Sequence, residues 1–387
     1  MNGAGIARRW SRVVEKHRGE VQGLLLRRYP AFVLSDRIEP GRDVPVFTFH
    51  EVAEEDLVPA LSFLAENGYA TLTADEYLER LGAPARPEAR EVMLTFDDGH
   101  VSLHRLAYPA LSRMGLKAVA YVVPGRIPEP GANGGGTRTL CDWREIAEMH
   151  ASGVIDFQSH SLLHHSIAVS RRILDFARPG LPFSFLTSDL APVSGVGGAA
   201  DGQPAAAPAW GTPIHPWGAR LSARPAWREH PEVEAACTDE VARNGGAEYF
   251  SRPEWRTRLQ GIANEARRHS GAGAFESESE QRAAILADLR AARQAIERRL
   301  AGKRVRHLCY PWYRGSPVAA RLALEAGMLT EAWGSIVPGF AGSADMPLPI
   351  RRLPPELLWR LPGNGRRPLA KILRSRWSRT LSRDRNA

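Results

Sequence analysis

Glu91-Val-Met-Leu-Thr-Phe-Asp-Asp-Gly99 is an apolar run that ends abruptly at two acids and a glycine. The run reads as a buried strand. Gly99 lets the backbone turn sharply after it. Ligand sites gather at the C-termini of strands in α/β sheets. Adjacent side chains there point in different directions, so one acid can bind a metal while the other handles protons. Asp-Asp-Gly is equally an ordinary turn, and alone it does not choose between these readings.

Upstream, Val44-Pro-Val-Phe-Thr-Phe-His50 predicts a second buried strand, ending in a histidine. A helix carrying Leu57, Leu61, Phe63 and Leu64 follows and stops at Gly68, and Asp75 to Leu81 predicts a short one. Downstream, 103–114 reads as a helix, 118–123 as a strand, 143–152 as a helix and 155–158 as a strand leading to His160. Strand–helix–strand alternation implies parallel pairing with helical crossovers. The rhythm breaks at 190–216, which is rich in Pro, Gly and Ala and reads as an irregular loop or insertion. It resumes with a long helix over 278–300, a strand over 306–310 and a helix over 318–326 stopped by Gly327. No repeat of solenoid length is present.

Two further segments carry chemistry. In Ser159-His-Ser-Leu-Leu-His164 the histidines are spaced i, i+4, which on a helix or helical turn brings both imidazoles to one ion. Two His plus one carboxylate leave coordination positions open for water and substrate. The alternative is a surface helix start with incidental histidines, and His165 reads as a bystander. Leu308-Cys-Tyr-Pro-Trp-Tyr-Arg-Gly315 is a buried strand with a rigid Tyr-Pro exit, whose backbone amides could meet a developing oxyanion.

In this order the segments resemble the polysaccharide deacetylase family, or NodB-homology domain. TFDDG at 95–99 resembles its first motif, HSLLH at 160–164 its second and Tyr310-Pro311 its third. Cys141 to Met149 resembles the Trp-containing helix before the second motif, and Ala326-Gly327 with 348–353 the closing segments. The resemblance covers about 44–168 and 280–354. It implies an α/β fold, a distorted (β/α) barrel commonly of seven strands, here with a large insertion. It also implies that Asp97 is the general base and that Asp98, His160 and His164 hold a divalent metal, usually zinc. Backbone near Tyr310 to Tyr313 would hold the oxyanion. Many members carry a C-terminal histidine as proton donor; here Arg351 and Arg352 stand in that segment. Phe47-Thr-Phe-His-Glu-Val52 resembles the opening motif of a subgroup in which the early histidine is the acid, which assigns that role to His50. Cys309 stands about where the family often has an Arg that orients the base, with Arg306, Arg314 and Arg352 as substitutes.

These readings divide the chain into a basic amphipathic segment (1–40), the barrel (41–169 and 279–360), an insertion (170–278) and a basic amphipathic tail (361–387). The insertion's Trp210, Trp217, Trp227, Phe250 and Trp255 suit either a sugar-stacking lid or the core of a small subdomain. Cys141, Cys237 and Cys309 are odd in number and far apart, which argues against a disulfide framework and fits a reducing compartment.

The N-terminus lacks the apolar run of a secretory signal, and no stretch approaches a membrane span. The net charge is +8, and residues 366–387 carry eight Lys or Arg against one acid, so the body is nearly neutral and no specific nucleic-acid partner is expected. Leu369, Ile372, Leu373, Trp377 and Leu381 form a helical stripe among those cations, as in an interfacial helix, though a solvated tail or nonspecific nucleic-acid contact has the same composition. The expectation is a cytoplasmic enzyme, peripheral on the inner face of a membrane, that hydrolytically de-N-acetylates an N-acetylhexosamine in a glycan, glycolipid or lipid-linked sugar. A metal-dependent amidase on a small non-sugar amide and an inactive carbohydrate-binding relative are the alternatives.

Overall fold

Strand, helix and strand alternate until the sheet meets itself. The structure, a computed structural model, describes residues 29–35, 44–84, 89–131, 138–181 and 208–383, the side chains of 377–383 excepted. In chain order the barrel runs β1 (Val46–Phe49), helices α1 (Glu54–Glu66) and α2 (Ala74–Gly82), β2 (Glu91–Asp98), α3 (Tyr108–Arg113), β3 (Ala118–Val122), α4 (Trp143–Ala151) and β4 (Ile155–Ser159). The insertion contributes α5 (Pro231–Arg243) and α6 (Trp255–Ser270). The barrel resumes with α7 (Glu278–Arg299), β5 (His307–Cys309), α8 (Pro317–Glu325), β6 (Thr330–Trp333) and β7 (Leu348–Arg351), and the tail forms α9 (Leu369–Arg383).

The seven strands lie side by side in chain order and pair in parallel. Closure comes just beyond β7, where the Thr48 amide donates to the Leu353 carbonyl (2.9 Å) and the Leu353 amide to that of Val46 (2.7 Å). Closing the ring removes the unpaired edge of an open sheet. The thinnest seam is β4–β5, held by the single register pair Leu308↔Ser159, and the insertion leaves the barrel at that seam.

Alternation along each strand sorts the side chains. Met93, Val119, Tyr121, Cys309, Ala332 and Ile350 fill the barrel interior. Leu94, Phe96, Ala120 and Phe157 point outward and meet Leu61, Ile146, Ile285 and Leu289 of the helices. Truncating one such buried leucine costs about 2–5 kcal/mol. Helix α2 crosses the floor of the barrel, where its Ala74 and Tyr77 join the interior cluster. Its start is set by a capping box in which Thr73 and Glu76 each bond the other's amide. Asp75 on the same turn faces His307 Nε2 (2.8 Å) and Arg306 (2.8 Å). Beside it Asp156 pairs with Lys303 and accepts from Gln158 and from the Ala74 amide.

Two features depart from the sequence reading. The helix expected over 103–114 begins as a π-helical turn over Leu103–Ala107. Residues 330–333 form a fully buried strand that the acid Glu331 concealed, because its carboxylate faces Tyr310 rather than water.

Within the insertion, α5 and α6 pack around Phe176, Val233, Cys237, Tyr249 and Leu259, with Phe250 and Trp255 against them. Those two aromatics are therefore core residues. Residues 1–28 and most of the Pro/Gly/Ala stretch lie outside the described residues. At the chain's ends, Phe32, Val33 and Ile372 (5% exposed) are buried in the main core, so the early turns of the tail's apolar stripe face the barrel. Among the described residues no helix is long and apolar enough to cross a membrane.

Candidate metal centre and active site

Five strand ends, those of β1, β2, β4, β5 and β7, deliver the site to the mouth opposite α2. Asp98 sits at the centre of a three-residue turn with φ +69°, across which the Gly99 amide donates to the Asp97 carbonyl (2.9 Å). A positive φ at a non-glycine centre is strained, and such strain clusters at functional sites. Among the described residues six non-glycines have positive φ, and five of them surround this mouth: Asp98, Ser161, His164, Trp312 and Tyr313.

The histidine pair does not sit on a helix, as the i, i+4 spacing had suggested. Residues 160–165 form an irregular loop. Ser161 and His164 adopt positive φ, and Ser161 Oγ accepts the His164 amide (3.0 Å). The loop is held at Leu162, whose amide donates to Asp288 of α7 (3.2 Å) and whose carbonyl accepts the Gly125 amide (2.8 Å). A Cβ at Gly125 would lie 2.8 Å from that carbonyl, so the close approach needs glycine. Local bends thus do what helical spacing was expected to do.

His160 Nε2 lies 3.4 Å and His164 Nε2 3.8 Å from the same oxygen of Asp98, and the three ligand atoms fall within 4.8 Å of one another. Ligand atoms that share a tetrahedral ion at 2.0–2.1 Å are roughly 3.4 Å apart, so the set fits a small divalent cation. His160 Nδ1 lies 2.9 Å from the Cys309 carbonyl. A proton on that nitrogen leaves the Nε2 lone pair for a metal. Burial opposes charge on Asp98, but the His160 contact outweighs it and holds the carboxyl below its usual range. Burial pushes His164 down to about 3, so its imidazole is neutral.

Asp97, the expected base, is fully buried and bonded through both oxygens by Arg352 (2.6 and 2.8 Å). Burial disfavours its ionised form, and the Arg352 guanidinium overcomes this and holds the carboxyl low. Arg352 also donates to Thr95 Oγ1 (3.1 Å) and lies 2.9 Å from Cys309 Sγ. Of the three arginines considered beside Asp97, Arg352 is the one in place. Arg306 belongs to the floor, and Arg314 lies over Trp217. Asp97, His160 and Cys309 also converge within 4.8 Å, but the Arg352 guanidinium already bonds that group and supplies its positive charge. His50, the expected acid, lies 3.7 Å from Asp97 with half its side chain exposed, so it can meet both the base and solvent.

Tyr310 is corrected. Its amide donates to the Ala332 carbonyl in the sheet (3.3 Å), and its buried phenol donates to Glu331 (2.8 Å). The Tyr313 and Arg314 amides close onto Tyr310 and Pro311. The amide of this turn without an acceptor among the described residues is that of Trp312. The Trp312 ring stands edge-on to His164, centroids 4.1 Å apart. Asp288 was missed by the sequence reading, whereas the Trp312 amide falls within the 310–313 backbone it had named. Arg352 carried a signal, since it follows inward-facing Ile350 by two positions, one residue past the end of β7.

Residues 85–176 match the family model for polysaccharide deacetylase. A Bacillus subtilis (strain 168) protein named "Putative polysaccharide deacetylase YxkH" is 26% identical over 136 residues, 33% of this chain and 46% of that protein. The poly-beta-1,6-N-acetyl-D-glucosamine N-deacetylase of Staphylococcus aureus (strain MRSA252) is 21% identical over 123 residues, 32% of this chain and 41% of that one. The chain thus spans less than half the length of these curated relatives. Among solved structures, the BpsB deacetylase domain from Bordetella bronchiseptica superposes with a TM-score of 0.48 at 16% identity, covering 82% of this chain and 97% of that one. With its motifs on the strand ends of a closed parallel barrel and the family model matched across the first two of them, this chain carries a polysaccharide deacetylase domain of the NodB-homology type.

Proposed function

We propose that the chain is a zinc-dependent hydrolase that removes the acetyl group from an N-acetylhexosamine within a glycan, glycolipid or lipid-linked sugar. The observation that carries this reading is the convergence of Asp98, His160 and His164 on one point, beside a separate carboxylate, Asp97, held ionised by Arg352. One carboxylate and two imidazoles suit zinc, with positions left open. When bound, the ion supplies Lewis acidity to the amide carbonyl and makes water more acidic.

The chain's own residues do the rest. Asp97 Oδ2 faces His50 across the mouth and accepts the proton of the attacking water. The free Trp312 amide meets the oxygen on which charge develops. His50, half in solvent, donates the proton with which the amine departs. Arg352 fixes Asp97 in one orientation and keeps it ionised in a buried place.

The test is acetate release by zinc-loaded protein from a panel of N-acetylated glycans, glycolipids and nucleotide sugars, with small non-sugar amides alongside. Release from the sugars, abolished by chelation and restored by zinc, is expected. Turnover confined to the non-sugar amides would replace the substrate class, and sugar binding without acetate release would mark an inactive relative. For the carrier, we propose that the cations beyond Ile372 hold the enzyme on an anionic membrane surface. Deleting 377–387 should then abolish co-sedimentation with anionic vesicles; unchanged co-sedimentation would retire that idea.

A further inference from the structure

Of the described aromatic residues that the insertion's own core does not use, Trp217 is the one whose ring meets the mouth. Trp217 begins the short strand Trp217–Ala219, which pairs antiparallel with Ser166–Ala168, the segment directly after the histidine loop. The register is Ala168↔Trp217, and the Arg220 amide donates to the His165 carbonyl (3.0 Å). The Arg220 side chain is bonded through two nitrogens to buried Glu276, which also accepts the Ala226 amide. Trp217 is therefore placed by the same backbone that places His164. Its neighbours Gly218 and Ala219 are buried, yet Trp217 remains 36% exposed. Its ring contacts run toward the mouth: Trp312, with centroids 5.3 Å apart, and the Arg314 guanidinium, 5.8 Å from the ring centre. Trp312 in turn lies against His164.

An indole held open on a rigid ladder, next to a second indole and a guanidinium, has the makings of a sugar-binding face. The C–H face of a pyranose covers an aromatic ring, and the adjoining guanidinium offers five donors to ring hydroxyls. With Trp312 between Trp217 and the metal ligand, Trp217 lies too far out to serve the acetamido group itself. We propose that Trp217 and Arg314 form a second subsite, which binds the sugar neighbouring the one that is deacetylated, with Trp312 as the shared wall. This rests on the deacetylase reading and deepens it: the substrate is an oligosaccharide or glycoconjugate with at least one further pyranose, not a free monosaccharide.

The experiment compares N-acetylglucosamine with its β-1,4- and β-1,6-linked tetramers on zinc-loaded full-length protein, following acetate release and, by calorimetry, binding. Wild type should prefer a tetramer. In Trp217→Ala the tetramer-over-monomer ratio of kcat/KM should fall roughly tenfold, carried by KM rather than kcat. Trp217→Phe, which keeps a stacking face, should retain most of the preference. A wild type that does not distinguish tetramer from monomer, or a ratio unchanged in Trp217→Ala, overturns the subsite. So does a loss in Trp217→Phe equal to that in Trp217→Ala, which would make the indole a packing element of the ladder. If wild type binds tetramer but releases no acetate, the deacetylase reading fails. Equal tetramer affinity of wild type and Trp217→Ala then still decides against the subsite, and weaker binding by the variant decides for it.

Discussion

At the floor of the barrel Asp75 lies between His307 and Arg306, and Asp156 between Lys303 and Gln158. At the opposite mouth Asp98, His160 and His164 turn toward one another instead. Both ends gather carboxylates and histidines on strand ends, so residue type does not separate them. What separates them is whether the charges are spent. Floor acids meet cations and amide donors, and both nitrogens of buried His307 are engaged, by Thr330 and Asp75. The mouth holds three ligand atoms aimed at one point, on backbone that is strained at Asp98, Ser161 and His164. A satisfied network stabilises a fold; strained, convergent donors are set up for a ligand.

The largest effects should therefore come from the mouth. Asp97→Asn should lower kcat by roughly 10²–10⁴-fold while zinc content stays at the wild-type level, because Asn can still accept from Arg352 but cannot take a proton. Full activity would remove Asp97 as base and with it much of the contrast between the ends. His160→Ala should abolish zinc binding, read by elemental analysis after dialysis; unchanged metal would place the ion elsewhere. His50→Ala should cost about 10²-fold in kcat with the metal retained, and much less on an acetanilide whose amine departs easily. An equal loss on both substrates would return the acid to another group.

Most of the barrel was legible because buried parallel strands announce themselves as apolar runs, and the order of motifs placed them around one ring. The remainder depended on contacts that sequence spacing does not encode. Five residues after His307, Trp312 presents the free amide, where the Tyr-Pro step had drawn attention to Tyr310. Tyr310 directly follows β5, and the Ala332 carbonyl that accepts its amide is known only once β5 and β6 are paired. Arg352 reaches Asp97 only because the chain closes through Leu353 onto β1. The insertion's aromatics separate into core residues (Phe250, Trp255) and a site-facing one (Trp217) by tertiary placement alone.

A smaller effect sharpens the contrast from within the mouth. Asp288 holds the Leu162 amide, and burial pushes its carboxyl up to about 6. It touches neither the ligand set nor the base. Asp288→Ala should loosen the His160–His164 loop and weaken zinc affinity about tenfold in a chelator competition, leaving Asp97 untouched. Unchanged affinity would show that Ser161 and Gly125 suffice to hold the loop.

The smallest effect on activity should come from the floor, and there the comparison is most exposed to failure. The His307 contact chiefly holds the Asp75 carboxyl below its ordinary range, against the opposing effect of burial. A carboxylate whose pKa is lower folded than unfolded stabilises the fold above its unfolded value, near pH 4, and that contribution is lost as pH falls toward the folded value. Asp75 is 37% exposed, so solvent screens the pair and the contribution should be modest, about 1 kcal/mol at pH 7. Asp75→Asn should therefore lower the urea midpoint at pH 7, and the gap from wild type should narrow steadily from pH 4 to pH 3, while kcat on a deacetylated glycan's parent substrate stays within about twofold. A gap that stays constant across that range would assign the role of Asp75 to packing rather than charge. A fall in kcat with an unchanged midpoint would be more serious, because a floor that governs turnover cannot be the spent, structural end of the barrel.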